Sequence, residues 1–195
     1  MILYRCFPWD REVRAEARGG ALWFPRMLQG DGRHDNPLLY GCLYVSASAT
    51  ASVVEQLSRA LGRPLAPPAL RRFGLPLALA ELELSDRAEL IDLDDPEVLV
   101  REGLRPSGVA THERARTQAD AARLFEGHPQ AAGLRWWSLF ESLWPNVTLF
   151  DRIERSLRVH DVRPLAPTDD VVEEATSLLG LRVEAWSGSS SADLT

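Results

Sequence analysis

The sequence predicts an α+β fold, and three observations support that class. Residues 80–84 alternate strictly between apolar and charged side chains, which predicts a strand with one buried face. Apolar residues within 53–61 recur at helical spacing behind Ser46 and Ser48, either of which can cap a helix. About six or seven short strands and three or four helices, without an internal repeat, are typical of a mixed layout.

The first half of the chain predicts four strands and one helix. Residues 2–6 read as a short edge or opening strand that Pro8 breaks. The prolines of 62–77 predict an ordered surface excursion before the alternating strand. The predicted strands are 2–6, 21–25, 39–45 and 80–84. The apolar face of the helix is predicted to hold Val53, Val54, Leu57, Ala60 and Leu61.

The second half predicts three helices and three strands. Proline near the start and glycine after the end mark helices 96–102 and 168–179. A longer helix, 112–126, ends at Gly127. Its predicted buried face holds Ala115, Ala119, Ala122 and Phe125. The predicted strands are 134–140, 146–150 and 157–162.

Length and composition indicate one domain. The 195 residues are 45% hydrophobic and 26% charged, which is ordinary for a globular domain with one sizeable core. We expect a single domain over 1–185 and a disordered tail over 186–195, where the sequence turns to serine, glycine and small polar residues.

The charge pattern argues against binding to nucleic acid. The net charge is −6, and the basic residues are scattered among acids instead of forming the cluster that a phosphate backbone requires. All 22 basic residues are arginine. Any phosphate contact must therefore come from arginine or from backbone amides.

Cysteine and histidine are too dispersed to predict a metal site. Cys6 and Cys42 lack metal-type spacing, and no cluster of histidines accompanies them. No run is long and apolar enough for a membrane span, and the N-terminus lacks the features of a signal peptide. We therefore expect a cytoplasmic protein without a metal or a membrane partner.

The segment 30–55 is the strongest candidate for a functional site. Gly30 and Gly32 precede Arg33 in a tight loop, Tyr44 lies on the following strand, and Glu55 lies on the polar face of the next helix. A strand-loop-helix unit can bring these three side chains around one pocket. Each also has an ordinary alternative: a solvated loop charge, a half-buried tyrosine and a surface glutamate.

A second candidate lies in 134–140. Ser138 is the one hydroxyl in a row of apolar side chains on one face of that predicted strand. A buried hydroxyl must find a partner, which is either a backbone carbonyl or a ligand.

Taken in order, the motifs of this chain resemble the RES domain. They are Tyr4-Arg5, GxGRxxNP at 30–37, LYVS at 43–46, Glu55, TQADAARLF at 117–125, and GLRWWSLF at 133–140 followed by Asn146 and LFD. The family is named for an Arg, a Glu and a Ser, which match Arg33, Glu55 and Ser138. Tyr44 matches its tyrosine and Arg5 its N-terminal arginine. The resemblance covers roughly 1–165.

Two departures from the family pattern stand out. His34 occupies the position where many members carry a tryptophan directly after the arginine, which leaves fine specificity open. The segment from Asp169 onward has no counterpart in the pattern.

The resemblance implies a fold like that of ADP-ribosyltransferases, with small mixed sheets flanked by helices around an NAD-binding cleft. It implies degradation of NAD⁺ by phosphorolysis or hydrolysis, in a toxin whose partner is a cognate Xre-like antitoxin. NAD⁺ is then the substrate, and inorganic phosphate a possible acceptor, with no cofactor and no metal. An ADP-ribosyltransferase acting on a protein and a catalytically inactive binding module are the alternatives; a structural or sugar-binding role has little support.

The resemblance also implies a role for each matching residue. Glu55 would orient the ribose and stabilise an oxocarbenium-like transition state, for which one carboxylate is enough because nicotinamide is already a cationic leaving group. Arg33 and Arg5 would bind the pyrophosphate. Tyr44 would pack on a ring, and Ser138 would form a hydrogen bond to nicotinamide or ribose.

Overall fold

The computed structural model describes residues 1–62 and 64–182, and their strands form one connected mixed sheet. The strands are β1 (Ile2–Pro8), β2 (Cys42–Ser46), β3 (Arg71–Arg72), β4 (Leu75–Leu84), β5 (Leu90–Asp92), β6 (Gly133–Trp137), β7 (Pro145–Phe150) and β8 (Leu157–Pro164). Their order in the sheet is β3-β4-β1-β2-β7-β6-β5, and β8 pairs with β4. Only the β5–β6 pair is parallel in this part of the chain.

Five α-helices flank the sheet in the described residues. Ser48 caps the first of them, since its hydroxyl accepts a hydrogen bond from the Ala51 amide at 3.3 Å. The helices are α1 (Ala49–Leu57), α2 (Pro96–Arg101), α3 (Pro106–Val109), α4 (Arg114–Gly127) and α5 (Asp170–Leu178). None of these helices has the length and apolarity needed to cross a membrane.

Strand β1 lies inside the sheet, not at its edge. It pairs with β4 at seven positions, yet it pairs with β2 at one position only, Tyr4 opposite Ser46. The prediction of a short strand over 2–6 therefore placed the segment correctly but made it too short, since pairing continues to Pro8. The single pair with β2 leaves the sheet open between these two strands.

The two faces of the sheet are covered differently. One face carries a continuous core that includes Leu3, Leu43 and Leu82. The opposite face carries two separate cores: α1 and α5 pack over one, around Val54, and α2 to α4 pack over the other, around Leu134. A cleft lies between these two cores.

Several predicted elements differ from those observed. Residues 21–25 form no strand; this segment turns over the sheet, and the Ala21 carbonyl accepts a hydrogen bond from Arg5. Strand β2 begins at Cys42 instead of residue 39, because 37–39 form a turn before it. The surface excursion of 62–77 also contributes to the core, since Leu65 and Leu70 are buried.

Two predicted helix faces require correction. Ala115 and Ala119 of α4 are exposed, and the buried side chains are instead Thr117, Ala121 and Leu124. At the end of the first helix Leu61 is half exposed, since the chain leaves the helical axis through a short 3₁₀ turn over Ser58–Ala60. The predicted disordered tail, 186–195, lies outside the described residues.

Candidate active site

A cleft of about 550 Å³ opens on the face of the sheet between the two cores. Three of the predicted site residues line it: Arg33, Tyr44 and Glu55. Ser138 joins the same site through Glu55. Other lining side chains are Cys6, Ser46, Ser52, Arg59, His112, Arg114, Trp136 and Asn146.

The loop that carries Arg33 is closed by the carboxylate of Asp35. One carboxylate oxygen, Oδ2, accepts hydrogen bonds from the amides of Gly30 at 2.9 Å and Gly32 at 2.7 Å. The other, Oδ1, accepts one from the Tyr44 hydroxyl at 2.7 Å. A Cβ at Gly32 would lie 2.4 Å from Oδ1 and 2.5 Å from the Tyr44 oxygen, so only glycine fits here.

Helix α4 fixes this loop from the other side. The Gln118 amide donates to the carbonyls of Gly30 at 2.9 Å and Gly32 at 2.8 Å. The Thr117 hydroxyl donates to the carbonyl of Arg33 at 2.5 Å. The loop backbone is therefore tied to two structural elements.

The Arg33 guanidinium is nearly buried, with 6% of the residue exposed. Its Nη1 donates to the Val109 carbonyl at 2.7 Å, and its central carbon lies 5.0 Å from the centre of the Trp136 ring. Burial lowers the pKa of Arg33, as does the neighbouring Arg114, whereas Glu55 raises it. Arg33 stays charged and is held in one orientation.

Glu55 projects from α1 and is anchored through one oxygen. Its Oε1 accepts hydrogen bonds from the Ser138 hydroxyl and from the Asn146 side-chain amide, each at 3.0 Å. The Phe140 amide donates to the Ser138 hydroxyl at 3.1 Å and orients it. Both partners of Glu55 are nearly fully buried. This carboxylate therefore belongs to the site and not to a solvated helix face.

Tyr44 contributes its ring to the cleft, whereas its hydroxyl is engaged elsewhere. That hydroxyl donates to Asp35 and accepts a hydrogen bond from the His34 amide at 2.9 Å. Burial, and the negative charges that Cys42 and Asp35 can carry, raise the pKa of Tyr44 well above its usual value. The ring is therefore fixed as a neutral wall of the cleft.

His34 is a buried part of this framework. Its Nδ1 lies 2.8 Å from the Thr148 hydroxyl, and its ring meets that of Trp136 edge to face at 5.4 Å. Burial lowers the pKa of His34 to about 3, with a smaller contribution from Arg33. His34 is therefore neutral at physiological pH and acts as a spacer behind Arg33.

Arg5 does not reach the cleft, which corrects its predicted substrate-binding role. Its Nη1 donates to the carbonyls of Gly20 at 3.1 Å and Ala21 at 2.6 Å, and burial lowers its pKa to about 10. Alternation along β1 sends Cys6 to the cleft and Arg5 to the opposite face. Its guanidinium holds the 20–21 segment in place.

Three cleft residues were missed or given no role by sequence reasoning. Asn146 was part of the matching motif, but its bond to Glu55 depends on the pairing of β7 with β2 and β6. Arg114 begins a helix and showed no signal. Arg59 follows Glu55 by four residues, a spacing that places two side chains on one helical face and could have identified it.

Comparisons with known proteins identify the family and the fold. The family model described as RES domain matches residues 2–174. A chain in the crystal structure of the M. tuberculosis MbcT-MbcA toxin-antitoxin complex has a similar fold, with a TM-score of 0.65 and 18% sequence identity; the match covers 92% of this chain and 88% of that one. A search of curated proteins found no match.

The burial of neutral His34 predicts a loss of stability in acid. Its pKa is about 3 in the folded chain and 6.5 ordinarily, so the unfolded chain binds more protons between these values. Stability should fall as the pH drops below 6.5, by about 1.4 kcal/mol per pH unit from this group. Urea unfolding at pH 7, 6 and 5 gives the free energy of unfolding at each pH, and this free energy should fall less steeply with decreasing pH in His34→Gln than in the wild type. The matched control is His112→Gln, because His112 is exposed. The same pH dependence in all three proteins would refute the assignment.

Proposed function

The chain belongs to the RES domain family, and on this premise we propose that it is an NAD⁺-degrading enzyme that cleaves the bond between nicotinamide and ribose. The observation that carries the proposal is the half-anchored carboxylate of Glu55. One oxygen is held by Ser138 and Asn146, and Oε2 has no hydrogen-bond partner among the described residues. That oxygen is available to a ribose hydroxyl in the cleft.

This arrangement suits the chemistry of the proposed substrate. When the bond between C1′ and the pyridinium nitrogen breaks, both electrons stay with nicotinamide, which leaves as a neutral molecule. Positive charge then develops on the ribose, and an acceptor adds at C1′. No acid is needed for the leaving group, so one fixed carboxylate can supply the electrostatic stabilisation. The residues that hold Glu55 keep it oriented before the substrate binds.

The cationic side of the cleft suits the pyrophosphate of a dinucleotide. Arg114 lies close enough to Arg33 to lower its pKa, and both side chains line the cleft. Guanidinium groups bind phosphate oxygens through charge-assisted hydrogen bonds. We assign Arg33 to the phosphate on the nicotinamide side, without the Arg5 partner expected from the sequence, and leave Arg114 to the acceptor.

The acceptor in this reaction is less constrained. The sequence favoured phosphate, because the amides of the 30–33 loop were expected to converge on an anion. Two of these amides, of Gly30 and Gly32, donate instead to Asp35. Phosphate remains our preferred acceptor over water or a protein side chain, with Arg114 as the cation that would bind it.

We further propose that this activity serves a toxin whose partner is an Xre-like antitoxin. The support is family membership together with the fold shared with a chain of a toxin-antitoxin complex. A free NAD⁺ consumer would harm its own cell, so it requires an inhibitor.

The purified chain is expected to deplete NAD⁺ and to release nicotinamide, without added metal and without loss of activity in a chelator. Glu55→Gln preserves an acceptor for Ser138 and Asn146 but removes the charge, so turnover should fall at least ~100-fold. Ser138→Ala leaves the hydrogen bond from Asn146 to Glu55 in place, so the turnover of this variant should fall roughly 10-fold or less. The measurement is a fluorometric NAD⁺ assay together with a melting temperature for each protein.

Glu126→Gln is the matched control for charge, because Glu126 lies exposed on α4, outside the cleft. It should retain full activity. Near-normal turnover of Glu55→Gln at an unchanged melting temperature would remove Glu55 from the mechanism. A well-folded wild-type protein without any turnover would favour the binding module instead.

Phosphorolysis predicts a saturable rise in rate with inorganic phosphate at fixed ionic strength. Mass spectrometry should then find ADP-ribose carrying one extra phosphate. Arg114→Gln should raise the phosphate concentration at half-maximal rate several-fold, roughly as expected for one charge-assisted hydrogen bond. A rate independent of phosphate with plain ADP-ribose as product would indicate hydrolysis, and label retained on a protein band would indicate transfer.

The toxin role predicts growth arrest and a fall in cellular NAD⁺ when the chain is expressed alone. Glu55→Gln should abolish both effects. Co-expression of a small reading frame adjacent to the gene should restore growth. The protein that this reading frame encodes should co-purify with the chain. Harmless expression of a chain that is active in vitro, with no adjacent reading frame, would contradict this role while leaving the enzymatic proposal intact.

A further inference from the structure

A second cavity of about 400 Å³ adjoins the cleft. The two share a wall made of Gln56 and Arg59, which line both. Apolar side chains line the second cavity, namely Leu57, Ala60, Ala69 and Leu77. Three arginines, Arg59, Arg71 and Arg72, line it as well. A lining of apolar and basic side chains suits a ligand that joins a flat ring to an anion.

Two of these arginines converge on a single neutral oxygen. Arg59 donates to Oε1 of Gln56 at 2.9 Å, and Arg72 donates to the same atom at 3.3 Å. Within 1–62 and 64–182, neither guanidinium forms a salt bridge, although seven ion pairs join other arginines to carboxylates. Burial lowers the pKa of both, and Arg72 further lowers that of Arg59. An anion between them would relieve this repulsion.

The turn that presents Arg72 is unusually constrained. Strands β3 and β4 are joined by Phe73 and Gly74, both with positive φ, at 53° and 81°. A type I′ hairpin requires this combination, and phenylalanine is strained in it. The Phe73 ring lies under the Arg72 guanidinium at 4.7 Å. The Phe73 ring therefore restricts the side chain of Arg72, which lines the second cavity.

We propose that the second cavity is the subsite for the AMP half of the dinucleotide, and that Arg59 and Arg72 bind the phosphate on the adenosine side. This inference rests on the proposed function and extends it. Glu55 lies in α1 and Arg59 lies four residues later in the 3₁₀ turn that follows it, so the ribose-binding carboxylate and the phosphate-binding guanidinium project from successive turns of the chain. The substrate would pass over Gln56, with nicotinamide ribose in the cleft and adenine against the apolar side chains of the second cavity.

The test compares NAD⁺ with nicotinamide mononucleotide, which lacks the AMP half. Arg59→Gln and Arg72→Gln should each lower kcat/KM for NAD⁺ by about 10-fold or more, the value of a charge-assisted hydrogen bond. The value for nicotinamide mononucleotide should change less than ~2-fold, within the spread expected of a substitution that removes no contact. Arg87→Gln is the control, because Arg87 is exposed and lines neither cavity. Equal losses on both substrates would overturn the assignment.

Binding of ADP-ribose to the Glu55→Gln protein, measured by calorimetry, decides the case without turnover. The affinity should fall about 10-fold when either Arg59→Gln or Arg72→Gln is added to the Glu55→Gln protein. Arg59→Lys in place of Arg59→Gln should retain part of the lost affinity. Unchanged affinity would refute the subsite even if NAD⁺ is degraded. Arginine-dependent binding in a protein without any NAD⁺ turnover would support the subsite and refute the proposed reaction.

Inorganic phosphate is the other source of the same chemistry. If Arg59→Gln leaves ADP-ribose affinity unchanged but raises the phosphate concentration at half-maximal rate, the arginine pair binds the acceptor. That result would overturn the assignment to the AMP half.

Discussion

The geometry of the cleft depends on the buried carboxylate of Asp35. It accepts hydrogen bonds from two loop amides and from the Tyr44 hydroxyl, so one side chain closes the loop and joins it to β2. A buried carboxylate is tolerated only when such donors replace water. The absence of a Cβ at Gly32 makes room for this contact. Asp35, which does not itself line the cleft, therefore fixes the position of Arg33 two residues away.

The cleft that the 30–33 loop borders lies where the sheet is open between β1 and β2. Because β1 pairs with β2 only at Tyr4 and Ser46, the Cys6 amide is free of a ladder partner on that side and donates instead to the Ser52 hydroxyl of α1 at 2.6 Å. This bond keeps α1 against β1 while β2 continues with β7. The helical layer is split accordingly into two cores. The cleft thus arises from an interruption in strand pairing that is satisfied by a side chain.

Periodicity predicted the local elements well and their orientation less well. The alternation in 80–84 and the cap at Ser48 identify β4 and α1 because both signals are local. The bond between Glu55 and Ser138 spans 83 residues, and the partner expected for Ser138 was a backbone carbonyl or a ligand instead. The family resemblance assigned both residues to one site but did not predict their contact. Arg5 was assigned to the wrong face of the sheet, because successive side chains of a strand point to opposite faces and an error of one residue reverses the assignment. The buried face of α4 was predicted wrongly because alanine is accommodated in buried and in exposed positions alike, and Ala115 is exposed.

Lysine is absent from the chain, so the basic side chains that line the cleft include three arginines, Arg33, Arg59 and Arg114, although the net charge of the chain is −6. A guanidinium has five donors in a rigid plane, so it can be held by one contact and still bind a ligand with the others. Arg33 is held through Nη1 by the Val109 carbonyl and through its face by Trp136. Lysine, a flexible point charge, could not be fixed in this way. Because the anchoring groups are a neutral carbonyl and a ring, no hydrogen-bonded carboxylate neutralises the positive charge of Arg33, which is what the proposed binding of a phosphate group requires.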